Sequence, residues 1–380
     1  MIMKFGTKLI HNGNEIDKHT GALSIPIYQV STYHQEDLDK PQEYDYSRSG
    51  NPTRKALEET IALLEGGDRG FAFSSGMAAT STALSIFSAG DHIIVCEDVY
   101  GGTHRIVTGF FSRFDLQISL VDASNLENIK KNIRSNTKAI FLETPSNPLL
   151  KVTDLKEAVK IAKEHGLLVL IDNTFMSPYL QRPIEFGADI IIHSATKFIG
   201  GHSDVIAGLV AVKGEVLAKR IYVMQNSFGA VLGPQDSWLL LRGLKTLKVR
   251  MDYQQRNTQL LAEWLDGHND VESVYYPGLQ NHAGHDIHFS QADGAGAVLS
   301  FKTGSTGQAL SFMKRVRLAA VAVSLGGVET IVSYPVKMSH AAIPKNERER
   351  LGITDNLVRV SVGLEDIDDL IADFDRALSE

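Results

Sequence analysis

The chain has a single cysteine, Cys96, among its 380 residues, so it can form no internal disulfide. One thiol also cannot build a sulfur-ligated metal centre, and a reducing compartment is the natural expectation. No stretch reaches the roughly 18 apolar residues of a membrane span. The opening MIMKFGTKLIHNGNE lacks the apolar segment of a secretory signal, so a cytoplasmic protein with no membrane partner is expected. A Lys/Arg-rich run is also missing and the formal net charge is -7, which leaves no broad electrostatic footprint for nucleic acid. Any phosphate recognition must then be local. Internal repeats and low-complexity tracts are absent.

The remaining composition is that of a folded globular chain, with 43% hydrophobic and 22% charged residues. At this length two or three associated lobes are expected rather than one core. From about Phe71 to Ala195, short apolar runs alternate with segments of helical period, the signature of a parallel sheet with crossover helices. Strands are expected at Gly70 to Ser74, His92 to Cys96, Leu116 to Val121, Ala139 to Leu142, Leu167 to Ile171 and Asp189 to Ile192. Leu155, Ala158, Val159 and Ala162 mark one face of a helix between two of them.

Residues 1–60 read as an arm and first helix, with Asn51-Pro52-Thr53 as cap and first-turn proline for a helix over Arg54 to Leu64. Residues 61–240 read as a large α/β domain. Residues 241–380 read as a smaller α+β domain, in which VESVYYPG, GAVLSFKTG, RLAAVAVSLGG and LVRVSVGLED are strand candidates. One long helical stretch is expected from Gln235 to Trp264. Further helices are expected from Gly307 to Val316 and from Asp366 to Leu378.

The residues that carry chemistry fall at the expected carboxyl ends of the strands, where open α/β sheets collect ligands. Ser74-Ser75-Gly76-Met77-Ala78-Ala79 joins a strand to a helix, so backbone N–H groups at the helix start can hold a phosphate. The same small-residue turn also occurs where a helix packs closely on a sheet. Asp172 ends an apolar strand, either as a turn residue or as the anion that keeps a pyridine nitrogen protonated. Ile190 to Lys197 delivers the hydroxyls of Ser194 and Thr196 and then one lysine. A lysine at the mouth of a buried strand is costly unless it is paired or consumed as an imine.

In order along the chain, YDYSRSGNPT, SSGMAA, DVYGGTHR, ETPSNP, DNTF, HSATKFIGGH, SLGGVET and LVRVSVGLED resemble the Cys/Met-metabolism family of pyridoxal-phosphate enzymes. That family includes cystathionine synthases, cystathionine lyases and methionine lyases, and the resemblance covers essentially the whole chain. It implies the aspartate-aminotransferase type of architecture, fold type I, with pyridoxal 5'-phosphate as cofactor. By the resemblance, Lys197 anchors the cofactor as an imine and moves protons, and Asp172 pairs with the pyridine nitrogen. Tyr100 stacks on the ring and aids proton transfer, and Asn147 lies near the phenolic oxygen. Gly76, Met77, Ser194 and Thr196 bind the phosphate, while Tyr46 and Arg48 reach it from a neighbouring subunit. Ser324 supports Arg359, which clamps the substrate α-carboxylate, a task suited to a planar fork. A homodimer with shared active sites, paired into a homotetramer, is therefore expected.

The implied activity is a carbon-sulfur lyase of trans-sulfuration, taking cystathionine by γ- or β-elimination, and also cysteine or homocysteine, to a thiol, ammonia and a 2-oxo acid. The alternatives are γ-replacement on an activated homoserine and a non-catalytic, cofactor-binding regulatory protein. Methionine lyases place a cysteine where Gly102 stands, and many cystathionine synthases and γ-lyases carry a glutamate where Val323 stands. A valine there makes the distal pocket more apolar. Cys96 reads as a small core residue. His282, His285 and His288 read as a polar loop, with no metal expected.

Overall fold

Short apolar runs become the strands of two sheets in the computed structural model, which describes residues 3–40, 42–341 and 343–379. Met1, Ile2 and Pro41 of the expected arm lie outside the described residues, as do Ala342 and Glu380. The first sheet holds β1 (Arg69–Phe73), β2 (His92–Cys96), β3 (Gln117–Val121), β4 (Thr137–Glu143), β5 (Leu168–Asp172), β6 (Ile190–Ser194) and β7 (Gly208–Val212). Their spatial order is β1-β7-β6-β5-β4-β2-β3. Strands β6, β5, β4, β2 and β3 are parallel. Both faces of this sheet are covered, so its strands are continuously apolar rather than alternating. Ile190, Ile191 and Ile192 are all fully buried, and each contributes ~2 kcal/mol of burial free energy.

Strand β7 went unnoticed in the sequence. It runs antiparallel to both β1 and β6, because the chain returns from β6 through a loop with no crossover helix. Reading β/α alternation alone therefore misses it. The Leu155–Glu164 helix buries Leu155, Ala158, Val159, Ile161 and Ala162 against the first sheet, as its period requires. Asn51 caps the Pro52–Glu65 helix through bonds accepted from Thr53 N at 3.0 Å and Arg54 N at 3.3 Å. That is the cap and proline arrangement expected.

The second sheet holds β8 (Val271–Tyr275), β9 (Val298–Thr303), β10 (Ala320–Val321), β11 (Ile331–Ser333) and β12 (Leu357–Ser361), in the order β10-β11-β12-β9-β8. It is antiparallel apart from the two-residue pairing of β10 with β11. Its core includes Phe301, Phe312 and Phe374, packed edge to face with centroids 5.4 and 5.1 Å apart.

Two sequence expectations change here. The stretch from Gln235 to Trp264 is two helices, Pro234–Leu244 and Leu247–Asp266, because the backbone leaves helical geometry at Thr246. Arg250 then bonds back to Thr246 Oγ1 at 3.1 Å and Gly243 O at 2.9 Å across the break. The candidate strand RLAAVAVSLGG yields only Ala320–Val321, since the chain turns out of the sheet before Ser324, whose φ is +86°.

Candidate active site

Parallel register brings the carboxyl ends of β4, β5 and β6 to one edge, pairing Glu143 with Asp172 and Asp172 with Ile192. The chain beyond each strand turns into a cleft of about 460 Å³. Ten of the residues nominated from sequence line it: Gly76, Met77, Tyr100, Asn147, Asp172, Ser194, Thr196, Lys197, Ser324 and Arg359. Tyr46 and Arg48 do not. Arg48 instead bonds Asn226 through Nη1, at 2.7 Å to O and 3.1 Å to Oδ1, and its guanidinium lies 5.5 Å from the Tyr46 ring centroid.

One end of the cleft is made for an anion. Ser75 caps the nine-residue Gly76–Leu84 helix, its Oγ accepting from Ala78 N at 3.0 Å. Gly76 and Met77 sit in the first turn, where N–H groups have no intrahelical acceptor. A Cβ on Gly76 would lie 2.8 Å from Ser194 Cβ, so only glycine lets the helix start approach the end of β6 so closely. Gly76→Ala is accordingly expected to cost ~1–3 kcal/mol of stability through overpacking. It should also weaken cofactor retention, read by denaturant unfolding and by dialysis of the loaded protein.

The middle of the cleft is acidic. Asp172 accepts from Thr174 N at 3.1 Å and from the Thr174 hydroxyl. Removal from water pushes its carboxyl above the usual range, while the Thr174 bonds and His193 pull the other way. Glu143 went unassigned in the sequence although it ends β4 as Asp172 ends β5. Its Oε2 accepts from Tyr100 N at 2.9 Å and its Oε1 from Asn147 N at 3.2 Å. Burial and then the neighbouring Asp172 hold it well above the ordinary carboxylate range. One carboxylate thus fixes the backbone beneath both Tyr100 and Asn147.

The far end is cationic. Lys197 Nζ donates to Ser324 Oγ. Burial first, and Arg359 second, bring its pKa down to about 8. Arg359 is 3% exposed. It donates from Nη1 to Asn147 Oδ1 at 3.0 Å, and from Nη2 to Ser324 O at 2.6 Å and Ser333 Oγ at 3.0 Å. All three acceptors are neutral, and Nε has no partner. Ser333 had no signal in the sequence, where it reads as an ordinary strand residue. The cleft therefore offers an amide-and-glycine cradle, an acid bonded only to Thr174, a lysine of lowered basicity and a buried guanidinium without a carboxylate partner. Those features fit pyridoxal phosphate, which has an anionic group, a basic ring nitrogen and an aldehyde.

The histidines at 282, 285 and 288 face carbonyls, with ring nitrogens 2.9 Å from Leu150 O, 2.8 Å from Pro277 O and 2.8 Å from Gly294 O. No cluster of His, Cys, Asp and Glu among the described residues has the form of a metal site. Among those residues, no helix is long and apolar enough to cross a membrane.

Comparison with known proteins agrees with this geometry. The chain is 56% identical over 374 residues to a cystathionine beta-lyase of Bacillus subtilis, covering 98% of this chain and 96% of that protein. It is 49% identical over 376 residues to a cystathionine gamma-lyase of the same organism, with 99% of each covered. A crystal structure of cystathionine gamma-lyase from Lactobacillus plantarum complexed with L-serine superposes with a TM-score of 0.97 at 46% identity, covering 99% of both chains. The fold is thus that of the pyridoxal-phosphate lyases, fold type I. Residues 6–379 match the family described as Cys/Met metabolism PLP-dependent enzyme, and the chain belongs to it.

Proposed function

We propose that the protein is a carbon-sulfur lyase that cleaves L-cystathionine, with β-elimination to homocysteine, pyruvate and ammonia as its main course. The observation that carries the reading is the alignment of Asp172, Lys197 and Arg359 along one cleft. Similarity at 56% identity to a protein named cystathionine beta-lyase, against 49% to a gamma-lyase, favours the β course.

When bound, the cofactor supplies an electron sink for the pair left at Cα when a proton is removed. Arg359 holds the substrate α-carboxylate. Lys197, its basicity lowered by burial, takes the Cα proton and returns a proton to the departing sulfur. Asp172 keeps its charge toward the ring nitrogen, Gly76, Met77, Ser194 and Thr196 hold the phosphate, and Tyr100 covers the ring. A Cβ on Gly102 would lie 2.5 Å from Tyr100 Cε1 and 2.6 Å from Met77 Sδ. A cysteine there displaces the Tyr100 ring, which counts against a dedicated methionine lyase. Val323 lines the cleft and is 66% exposed, so the distal wall carries no acid at that point.

Incubation with cystathionine should release pyruvate and homocysteine in equal amounts. Appearance of 2-oxobutanoate and cysteine instead would move the assignment to γ-elimination. Turnover of O-acyl-homoserine plus cysteine, with no 2-oxo acid from cystathionine, would overturn the lyase reading.

The position of Tyr46 and Arg48 outside the cleft of their own chain supports a homodimer with shared sites, and we propose that such dimers pair into tetramers in the cytoplasm. Co-expression of Lys197→Ala with Arg48→Ala chains tests the sharing. A mixed dimer then has one doubly defective and one intact site, so about a quarter of native activity should return from two weak parents. Activity no higher than the average of the parents would place Arg48 in its own chain's site.

A further inference from the structure

Beneath the cleft lies a second polar assembly that the proposed chemistry does not use. His193 follows Ile192 in β6, so its side chain points to the sheet face opposite Ser194. There its Nε2 lies 2.5 Å from Glu65 Oε1, at the end of the Pro52–Glu65 helix, and the two side chains are 1% and 0% exposed. Glu65 Oε1 also accepts from Asn173 Nδ2 at 3.1 Å. Asn173 donates to Gln181 O at 2.8 Å, and Gln181 Nε2 reaches Thr144 O at 3.1 Å. Thr144, Asn173 and His193 stand at the ends of β4, β5 and β6, each within a residue or two of Glu143, Asp172 or Ser194.

The geometry assigns a direction to this assembly. Since the Glu65 oxygen already accepts from an amide, it is an acceptor toward the imidazole as well, and Nε2 of His193 carries the proton. Glu65 Oε2, His193 Nδ1 and Gln181 Oε1 have no partner. A buried pair with unpaired atoms is a costly way to join strands, and packed apolar side chains would hold them as well. What apolar residues cannot supply is directional bonds to three strand ends and an imidazole held behind Asp172.

We propose that Glu65 and His193 are positioning residues: their buried pair, extended through Asn173 and Gln181, sets the ends of β4, β5 and β6 and holds the imidazole behind Asp172. This rests on the cofactor reading of the cleft above. His193 favours the charged form of Asp172. Titratable groups near Asp172 include Glu143 on β4, Asp98 and Cys96 beyond it at the end of β2, and Lys197, Tyr100 and Arg359 in the cleft. Facing His193 from β7 is Leu209, which does not titrate.

Glu65→Gln and His193→Gln test the assignment in the loaded enzyme. Both should bind cofactor with native stoichiometry, lose ~10- to 100-fold in kcat by analogy with partners that orient first-contact ligands, and keep KM within about threefold. The acid limb of kcat/KM and the pH titration of the visible band should both move to higher pH by about 0.5 units or more, because Asp172 holds its proton longer once the imidazole that favours its charged form is lost or turned away. In cofactor-free protein, a ¹⁵N-histidine spectrum should show an Nε2-protonated His193, identified by its loss in His193→Gln and shifted in Glu65→Gln. A purely structural pair lowers the melting temperature and leaves the acid limb and band titration in place, which overturns the proposal. If His193→Gln fails to fold, the isosteric Glu65→Gln decides alone. The band titration reads the pair whichever substrate is cleaved. An active wild type beside native-like variants therefore refutes this inference, whereas a wild type that forms the band and leaves cystathionine intact refutes only the substrate reading.

Discussion

Lys197→Ala is expected to lose cystathionine cleavage by ~10³-fold or more, since one substitution removes both the covalent anchor and the proton-transfer group. The visible band of the lysine-linked cofactor should vanish with it. If the band persists in the purified variant, the imine assignment is wrong. The same residue sets a pH dependence that the native protein can show. Burial and Arg359 bring Lys197 from 10.5 down to about 8. The neutral amine is the form that attacks an aldehyde, and at pH 8 an unshifted lysine would be neutral in only about one molecule in 300. A depressed basicity makes that form present in about half. The rate at which cofactor-free protein regains the band should therefore rise with pH and level off past a midpoint of about 8. A midpoint close to 10.5 would show that the lysine is better solvated than its surroundings in this structure allow.

Arg359→Ala is the second large effect. The guanidinium is held by Asn147, Ser324 and Ser333, all neutral, and keeps its Nε–H unpartnered although it is only 3% exposed. Burial lowers its pKa to about 10, so it is still charged at neutral pH. A charge kept there without a salt-bridged carboxylate among the described residues is matched to an anion from outside. Its removal should cost ~3–4 kcal/mol in kcat/KM, about 10²–10³-fold, mostly as a raised KM. Lysine should recover little of this, because a point charge does not reproduce the planar fork. Binding of a carboxylate-bearing inhibitor should weaken in parallel, and an unchanged inhibitor constant would place the carboxylate elsewhere.

The large parallel sheet could be read from the sequence because its strands are uniformly apolar and its crossover helices keep a clean period. Strand β7 was hidden because no crossover helix separates it from β6, which takes it out of the β/α alternation. The break at Thr246 was hidden because the apolar pattern continues through it. In the site, a lysine after two hydroxyls and an aspartate ending a strand drew attention by position, while the aspartate alone read equally as a turn residue. Tyr100, Asn147 and Arg359 gained meaning only in register with the family's motifs. Glu143 and Ser333 remained silent because their roles lie in which neighbours they hold, and that depends on strand order and loop path. The Glu65–His193 pair joins residues 128 positions apart and could not have been paired by inspection.

The cleft is built from two sheets. Apart from Tyr46 and Arg48 of the arm, the groups nominated to hold the cofactor come from the ends of the first sheet and the turns beyond them. Arg359, Ser333, Ser324 and Val323 come from β12, β11 and the segment between β10 and β11. One half of the molecule can therefore be conserved for the proton chemistry while the other drifts in the chain it accepts and the bond it presents. Enzymes that break or make cystathionine on either side of sulfur can then diverge by exchanging residues along one sheet edge, without rebuilding the reactive centre.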